Sequence, residues 1–127
     1  METHPEQKNS ASEQANKLHG KLVVAYRQVT QAGRIELSRD LDFQIVDQID
    51  NKQIRIAKLE GNRILVKQSA LSLPTTALRY IVAHEIAHSF TKQHSEKFWR
   101  ILEILCPDYE LGRRLLESQY ASEFPLE

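Results

Sequence analysis

The segment from Pro74 to Phe90, PTTALRYIVAHEIAHSF, restricts the fold more than any other part of the chain. A proline has a fixed φ and no N–H, which suits the first turn of a helix, and the pattern predicts a helix running to about Phe90 or Thr91. Around that helix Leu78, Ile81, Val82, Ala83, Ile86, Ala87 and Phe90 leave almost no conventional solvent face. A helix apolar on all sides has to be central, and the rest of a chain of only 127 residues must cover it. Set among these apolar residues are His84, Glu85 and His88. Burying two imidazoles and a carboxylate is costly unless a cation or hydrogen bonds compensate them.

These three form an H-E-x-x-H pattern. At about 100° per residue, His88 lies only about 40° around the helix from His84 and about 6 Å along it, so both rings can converge on one ion. Glu85 starts about 100° away, where its carboxylate can reach a water on the metal without becoming a ligand. That is the geometry of a general base. A catalytic zinc takes three protein ligands and keeps a fourth position open. His94 is the leading candidate for the third, with Glu96 and Glu103 as alternatives. In a continued helix His94 would stand about 9 Å beyond His88 on another face, so coordination requires the chain to turn back near Thr91-Lys92-Gln93. Ser95, a good helix cap, supports such a break. The overall spacing also matches the length of the metzincin signature, but that signature needs Gly where Thr91 stands and a downstream Met-turn, and the only methionine is Met1.

Before this helix, residues 1–10 show no hydrophobic periodicity and read as a flexible leader, with residues 11–125 forming one domain. Leu18, Leu22, Tyr26 and Val29 predict a helix from about Ala11 to Gln31, capped by Ser10 or Ser12 and stopped at Gly33. The β-branched Val23, Val24, Val29 and Thr30 make a strand over 22–29 the competing reading. Ile35–Leu37, Leu41–Ile49, Gln53–Leu59 and Arg63–Lys67 read as short strands, the last two joined as a hairpin through Gly61. Arg63–Lys67 is expected to act as a sheet edge that pairs with an extended peptide. After Phe90, a helix is expected from Ser95 to Cys106 with Phe98, Ile101, Leu102 and Leu105 inward. Pro107 stops it, and Asp108 caps a last helix carrying Leu111, Leu115 and Leu116. The fold class is therefore α+β: an N-terminal helix, a small mixed sheet of three to four strands, the central helix and two C-terminal helices.

Composition narrows the partners. Seventeen basic and seventeen acidic residues cancel, which argues against direct nucleic-acid binding, and no stretch approaches a membrane span. The single Cys106 forms no intramolecular disulfide and reads as a small buried hydrophobe. With no apolar signal region near Met1, the expected location is the cytoplasm. Oligomeric state is not legible.

The stretch from His84 to Trp99, HEIAHSFTKQHSEKFW, followed by Cys106-Pro107-Asp108-Tyr109, resembles the YgjP-like family of zinc metallopeptidases. The WLM and SprT-like families share its H-E-x-x-H-x5-H core. The resemblance covers about Ile64 to Arg114. A Trp-Gly-Ser-Cys segment common in that family is replaced here by Lys58-Leu59-Glu60-Gly61-Asn62-Arg63. The resemblance implies a zincin-like fold, Zn2+ on His84, His88 and His94, Glu85 as catalytic base, and a peptide or protein substrate. Tyr109 is the candidate for steadying the oxyanion, with Tyr80 and Arg100 as alternatives. Phe98 and Trp99 read as core aromatics behind the third ligand. Two other functions stay open: zinc-dependent hydrolysis of a nucleotide phosphoanhydride, although no glycine-rich phosphate cradle is present, and a zinc-stabilised protein-binding module.

Overall fold

A computed structural model describes residues 5–37, 40–50, 55–120 and 126. The elements follow the order α1 (Pro5–Gly33), β1 (Asp42–Val46), β2 (Ala57–Glu60), β3 (Arg63–Lys67), α2 (Thr75–Phe90), α3 (Glu96–Leu105) and α4 (Tyr109–Tyr120). A short 3-10 turn, Gln68–Ser72, links β3 to Leu73 and Pro74. This is the α+β arrangement expected, with three strands formed.

Helix α1 starts at Pro5, earlier than Ala11, so residues 5–10 belong to the helix and neither Ser10 nor Ser12 caps it. The rest of the leader, residues 1–4, lies outside the described residues. Leu18, Leu22, Ala25 and Val29 form its buried stripe, and burial at helical spacing overrides the β-branched residues that favoured a strand. The helix closes with paired bonds from Arg34 N–H to the Gln31 carbonyl (3.2 Å) and from Ile35 N–H to the Thr30 carbonyl (3.1 Å). That is a Schellman cap, and its left-handed residue is Arg34 (φ 51°), not Gly33. Gly33 has another reason to be small: a Cβ there would come within 3.1 Å of the Leu105 side chain on α3. Because Ile35 spends its N–H on the cap, Ile35–Leu37 does not become a strand.

The sheet runs β1-β3-β2, with β1 parallel and β2 antiparallel to β3. The expected hairpin is present. Leu59 faces Ile64 and Ala57 faces Val66 across it, and Gly61 (φ 64°) with Asn62 makes the turn. A positive φ at the first of two turn residues alone is the type II′ pattern, which matches the twist of the flanking strands. The expectation that β3 is an edge is overturned: β3 is the central strand, its backbone paired on both sides. The edges are β1 and β2. Sheet order rests on the pairing of β1 with β3 across some twenty residues, and no local pattern encodes it. Residues 53–54, the start of the expected third run, lie outside the described residues.

Helix α2 takes the centre. Ala77, Leu78 and every residue from Tyr80 to Ala87 are buried, and α1, α3, α4 and β2 pack around it. Pro74 precedes it, and the Leu78 N–H bonds to the Pro74 carbonyl (3.1 Å). Gly112 brings α4 against α2 so closely that a Cβ there would stand 2.6 Å from Tyr80 Cβ and 2.7 Å from the Thr76 carbonyl oxygen. Asp108 does not cap α4 through its side chain; it pairs with Arg79 of α2 at 2.8 Å and accepts a bond from the Cys106 thiol at 3.3 Å. Leu116 is buried in α4, whereas Leu111 is half exposed.

Candidate metal centre

The C-terminal half of α2 and the loop that follows it assemble the site. His84 and Glu85 are almost completely buried (3% and 2% exposed), His88 is half-buried, and His94 is exposed. The helix stops at Phe90, where the Thr91 N–H still bonds to the Ala87 carbonyl (3.1 Å). The chain then folds back over Lys92 and Gln93, as the sequence required. Ser95 caps α3, its side chain accepting from the Phe98 N–H (3.4 Å). Since His94 directly precedes that cap, the start of α3 fixes where the third imidazole stands.

One ligand atom from each of His84, His88 and His94 lies within 4.8 Å of the others, a group able to hold a metal ion. His94 Nε2 is 3.1 Å from His88 Nε2. Two imidazole nitrogens on one tetrahedral zinc would stand about 3.3 Å apart, given Zn–N near 2.0–2.1 Å. His88 Nδ1 is 3.3 Å from the Thr91 carbonyl; a proton on Nδ1 donates there and leaves the Nε2 lone pair facing His94. The donor set therefore fits a divalent cation. The alternative third ligands stand apart: Glu96 is 78% exposed and paired with Arg100 at 2.6 Å, and Glu103 is exposed on α3.

Phe98, fully buried, forms the floor. Its ring centroid lies 5.1, 4.7 and 4.7 Å from those of His84, His88 and His94. This matches its expected place behind the third ligand. Trp99 differs: it is 36% exposed, with its ring 6.0 Å from His94 on one side and 6.0 Å from Tyr109 on another. Tyr109 is thus one ring removed from the cluster. Tyr80 is buried beside His84, with ring centroids 5.8 Å apart, and burial, reinforced by Glu117 and Glu85, raises its phenol far above the ordinary range despite the opposing Arg113. Cys106 is buried, and burial with the neighbouring Asp108 pushes its thiol up to about 12, which removes it as a nucleophile.

Glu85 Oε2 lies 3.4 Å from His84 Nδ1. Glu85 and His88 also line a groove of about 940 Å3, whose other walls come from Leu37 and Leu41, from Leu59 to Asn62, and from Ser89, Phe90 and Lys92. Sequence reasoning placed Glu85 and His88 but missed this groove. Its residues come from three separated segments, and only the strand alternation at Leu59 offered a local signal.

An α+β domain with three convergent histidines on and after a buried helix is a layout that suits a metal-dependent hydrolase, and the comparisons with known proteins point to metallopeptidases. Residues 59–119, just under half of the chain, match the family model described as YgjP-like, metallopeptidase domain. The structure is similar to the crystal structure of the metallopeptidase zymogen of Pyrococcus abyssi abylysin, with a TM-score of 0.63 and 21% identity over 77% of this chain and 93% of that one. At that identity the likeness is one of fold. No curated protein matches the sequence.

Proposed function

We propose that the protein is a zinc-dependent peptidase in which His84, His88 and His94 hold the ion and Glu85 is the general base. The observation that carries this reading is the convergence of three imidazoles beside a buried carboxylate that opens on a groove. Three neutral nitrogen donors suit zinc, which when bound supplies Lewis-acid polarisation of water and of the scissile carbonyl. Thr91 orients the His88 ring through its carbonyl, and Phe98 sets the three imidazoles at their mutual angles. Glu85, buried beside His84, takes the proton of the attacking water and returns it to the leaving amine.

The substrate backbone would add to β2, the sheet edge that borders the groove. An oxyanion role for Tyr109 would require its hydroxyl to reach the carbonyl past Trp99, and Tyr109→Phe losing kcat with zinc retained would support it. The phosphoanhydride alternative gains little from the groove, where among the described lining residues Lys92 is the only basic side chain apart from His88. The lone cysteine favours a cytoplasmic setting, and among the described residues no helix is long and apolar enough to cross a membrane.

The test is a peptide-cleavage assay on the zinc-loaded chain with metal content measured in parallel. Glu85→Gln should keep one zinc and lose at least about a hundredfold in kcat, the usual weight of a general base. His94→Ala should lose zinc. Cleavage by Glu85→Gln at the wild-type rate would remove Glu85 from the mechanism.

A further inference from the structure

The groove carries more apolar surface than the hydrolytic chemistry needs. Leu37 and Leu41 from the segment after α1, Leu59 from β2 and Phe90 from the end of α2 line it together with Glu85 and His88. Phe90 is 42% exposed although almost all of α2 before it is buried, so its ring is turned out of the core onto the groove. Among the described residues, the charged side chains that line the groove are Glu60, Glu85 and Lys92, two acidic and one basic, a balance that disfavours a strongly acidic ligand.

From this arrangement we propose that the groove is a specificity subsite that selects a bulky apolar side chain, of leucine or phenylalanine size, at the residue adjoining the scissile bond. The inference rests on the peptidase reading and deepens it by naming the substrate class. Three observations support it. The cavity is within the size range of ligand sites and is continuous with Glu85 and His88, so a side chain bound there belongs to a residue at the reacting bond. An acidic side chain in the same place would meet Glu85 and Glu60.

The backbone of β2 supplies the third. The Lys67 N–H bonds to the Ile56 carbonyl, and the two-residue turn makes Glu60 and Arg63 an inward-bonded pair at the tip, with Lys58 and Leu65 between them in the same phase. By the alternation of an antiparallel ladder, the backbone groups of Ala57 and Leu59 point away from β3, to the outer edge. A peptide strand held at Leu59 therefore runs beside the groove and presents alternate side chains to it.

The experiment uses the zinc-loaded full chain and a mixed peptide library read by mass spectrometry, followed by kinetics on single peptides that differ only beside the cleaved bond. Leucine or phenylalanine there should give kcat/KM at least about tenfold above aspartate or glycine. Phe90→Lys should cut that preference about tenfold, and Leu37→Lys, checked for folding by circular dichroism, should do the same from the other wall. Cleavage without an apolar preference, or an unchanged preference in both variants, overturns the inference and leaves the peptidase reading standing. If the zinc-loaded wild type cuts no peptide, the peptidase reading falls, and binding to Glu85→Gln by fluorescence polarisation then decides the groove itself. Binding of the leucine peptide about tenfold tighter than the aspartate peptide supports it, and equal binding overturns it.

Discussion

Replacing Gly112 by alanine should destabilise the protein, whereas the same replacement at Gly20 should stabilise it, although both glycines sit inside helices. Intrinsic helix propensity favours alanine at each position by about 0.8–1.0 kcal/mol. At Gly20 nothing lies within 4 Å of the added Cβ, so most of that gain, about 0.5–1 kcal/mol, should appear. At Gly112 the new Cβ would meet Tyr80 Cβ at 2.6 Å and the Thr76 carbonyl oxygen at 2.7 Å. Carbon contacts settle near 3.5–4.0 Å, so α2 and α4 would have to part by about 1 Å. One obstacle is backbone and the other a Cβ held by its backbone, so neither can rotate away, which puts the cost in the upper part of the overpacking range, about 2–3 kcal/mol. After the propensity gain the net loss is about 1–2 kcal/mol, and the two variants should differ by about 2–3 kcal/mol. Urea unfolding followed by circular dichroism, with all samples treated with chelator so that metal binding does not enter, measures both. A Gly112→Ala variant as stable as wild type with an unchanged m-value would refute the argument. The effect should also reach the metal centre, because Tyr80 packs against the His84 ring.

Other expectations follow from the caps, the charges and the metal. Arg34→Gly should raise Tm by a few degrees, since it relieves a side chain held at φ 51° in a helix cap at a gain of about 1 kcal/mol; unchanged melting would show that Arg34 is unstrained. Burial would raise the Asp108 carboxyl, but hydrogen bonds from Cys106 and Arg79 and the Arg79 charge outweigh it and hold the group below its ordinary 3.8. A lowered carboxylate stabilises the fold above its unfolded pKa and loses that contribution as pH falls through the folded value. Asp108→Asn should therefore cost a fraction of about 1 kcal/mol at pH 7, given its exposure, and the difference from wild type should shrink below about pH 4 in acid unfolding. Removing zinc with chelator should lower Tm, as loss of any ligand that binds only the folded state does, and an unchanged curve after verified removal would contradict a site that bridges α2 and α3.

The candidate ligands were legible because a helix converts sequence spacing directly into facing side chains. His84 and His88 needed only the 3.6-residue period, and His94 needed only the break that Ser95 marks. Helix ends were equally plain at Pro74, Ser95 and Pro107, where one residue's chemistry decides. The central place of β3 was not legible, because strand order depends on partners distant in the chain. Gly33 stood where the helix stops, as expected, but its packing role and that of Gly112 were not legible for a related reason: another helix passes close to each, and no neighbour in sequence records that approach. The exposure of Trp99 follows from the way α3 turns Phe98 inward, which orients the adjacent residue outward by helical geometry.

That outward turn gives the chain a built-in optical reporter. Trp99 is its only tryptophan, and the indole ring centroid stands 6.0 Å from that of His94 in the histidine cluster. All tryptophan emission from this protein therefore originates at the rim of the site, with no background from elsewhere. Occupancy by a quenching ion, or docking of a peptide over His94, becomes visible in the unlabelled wild-type chain.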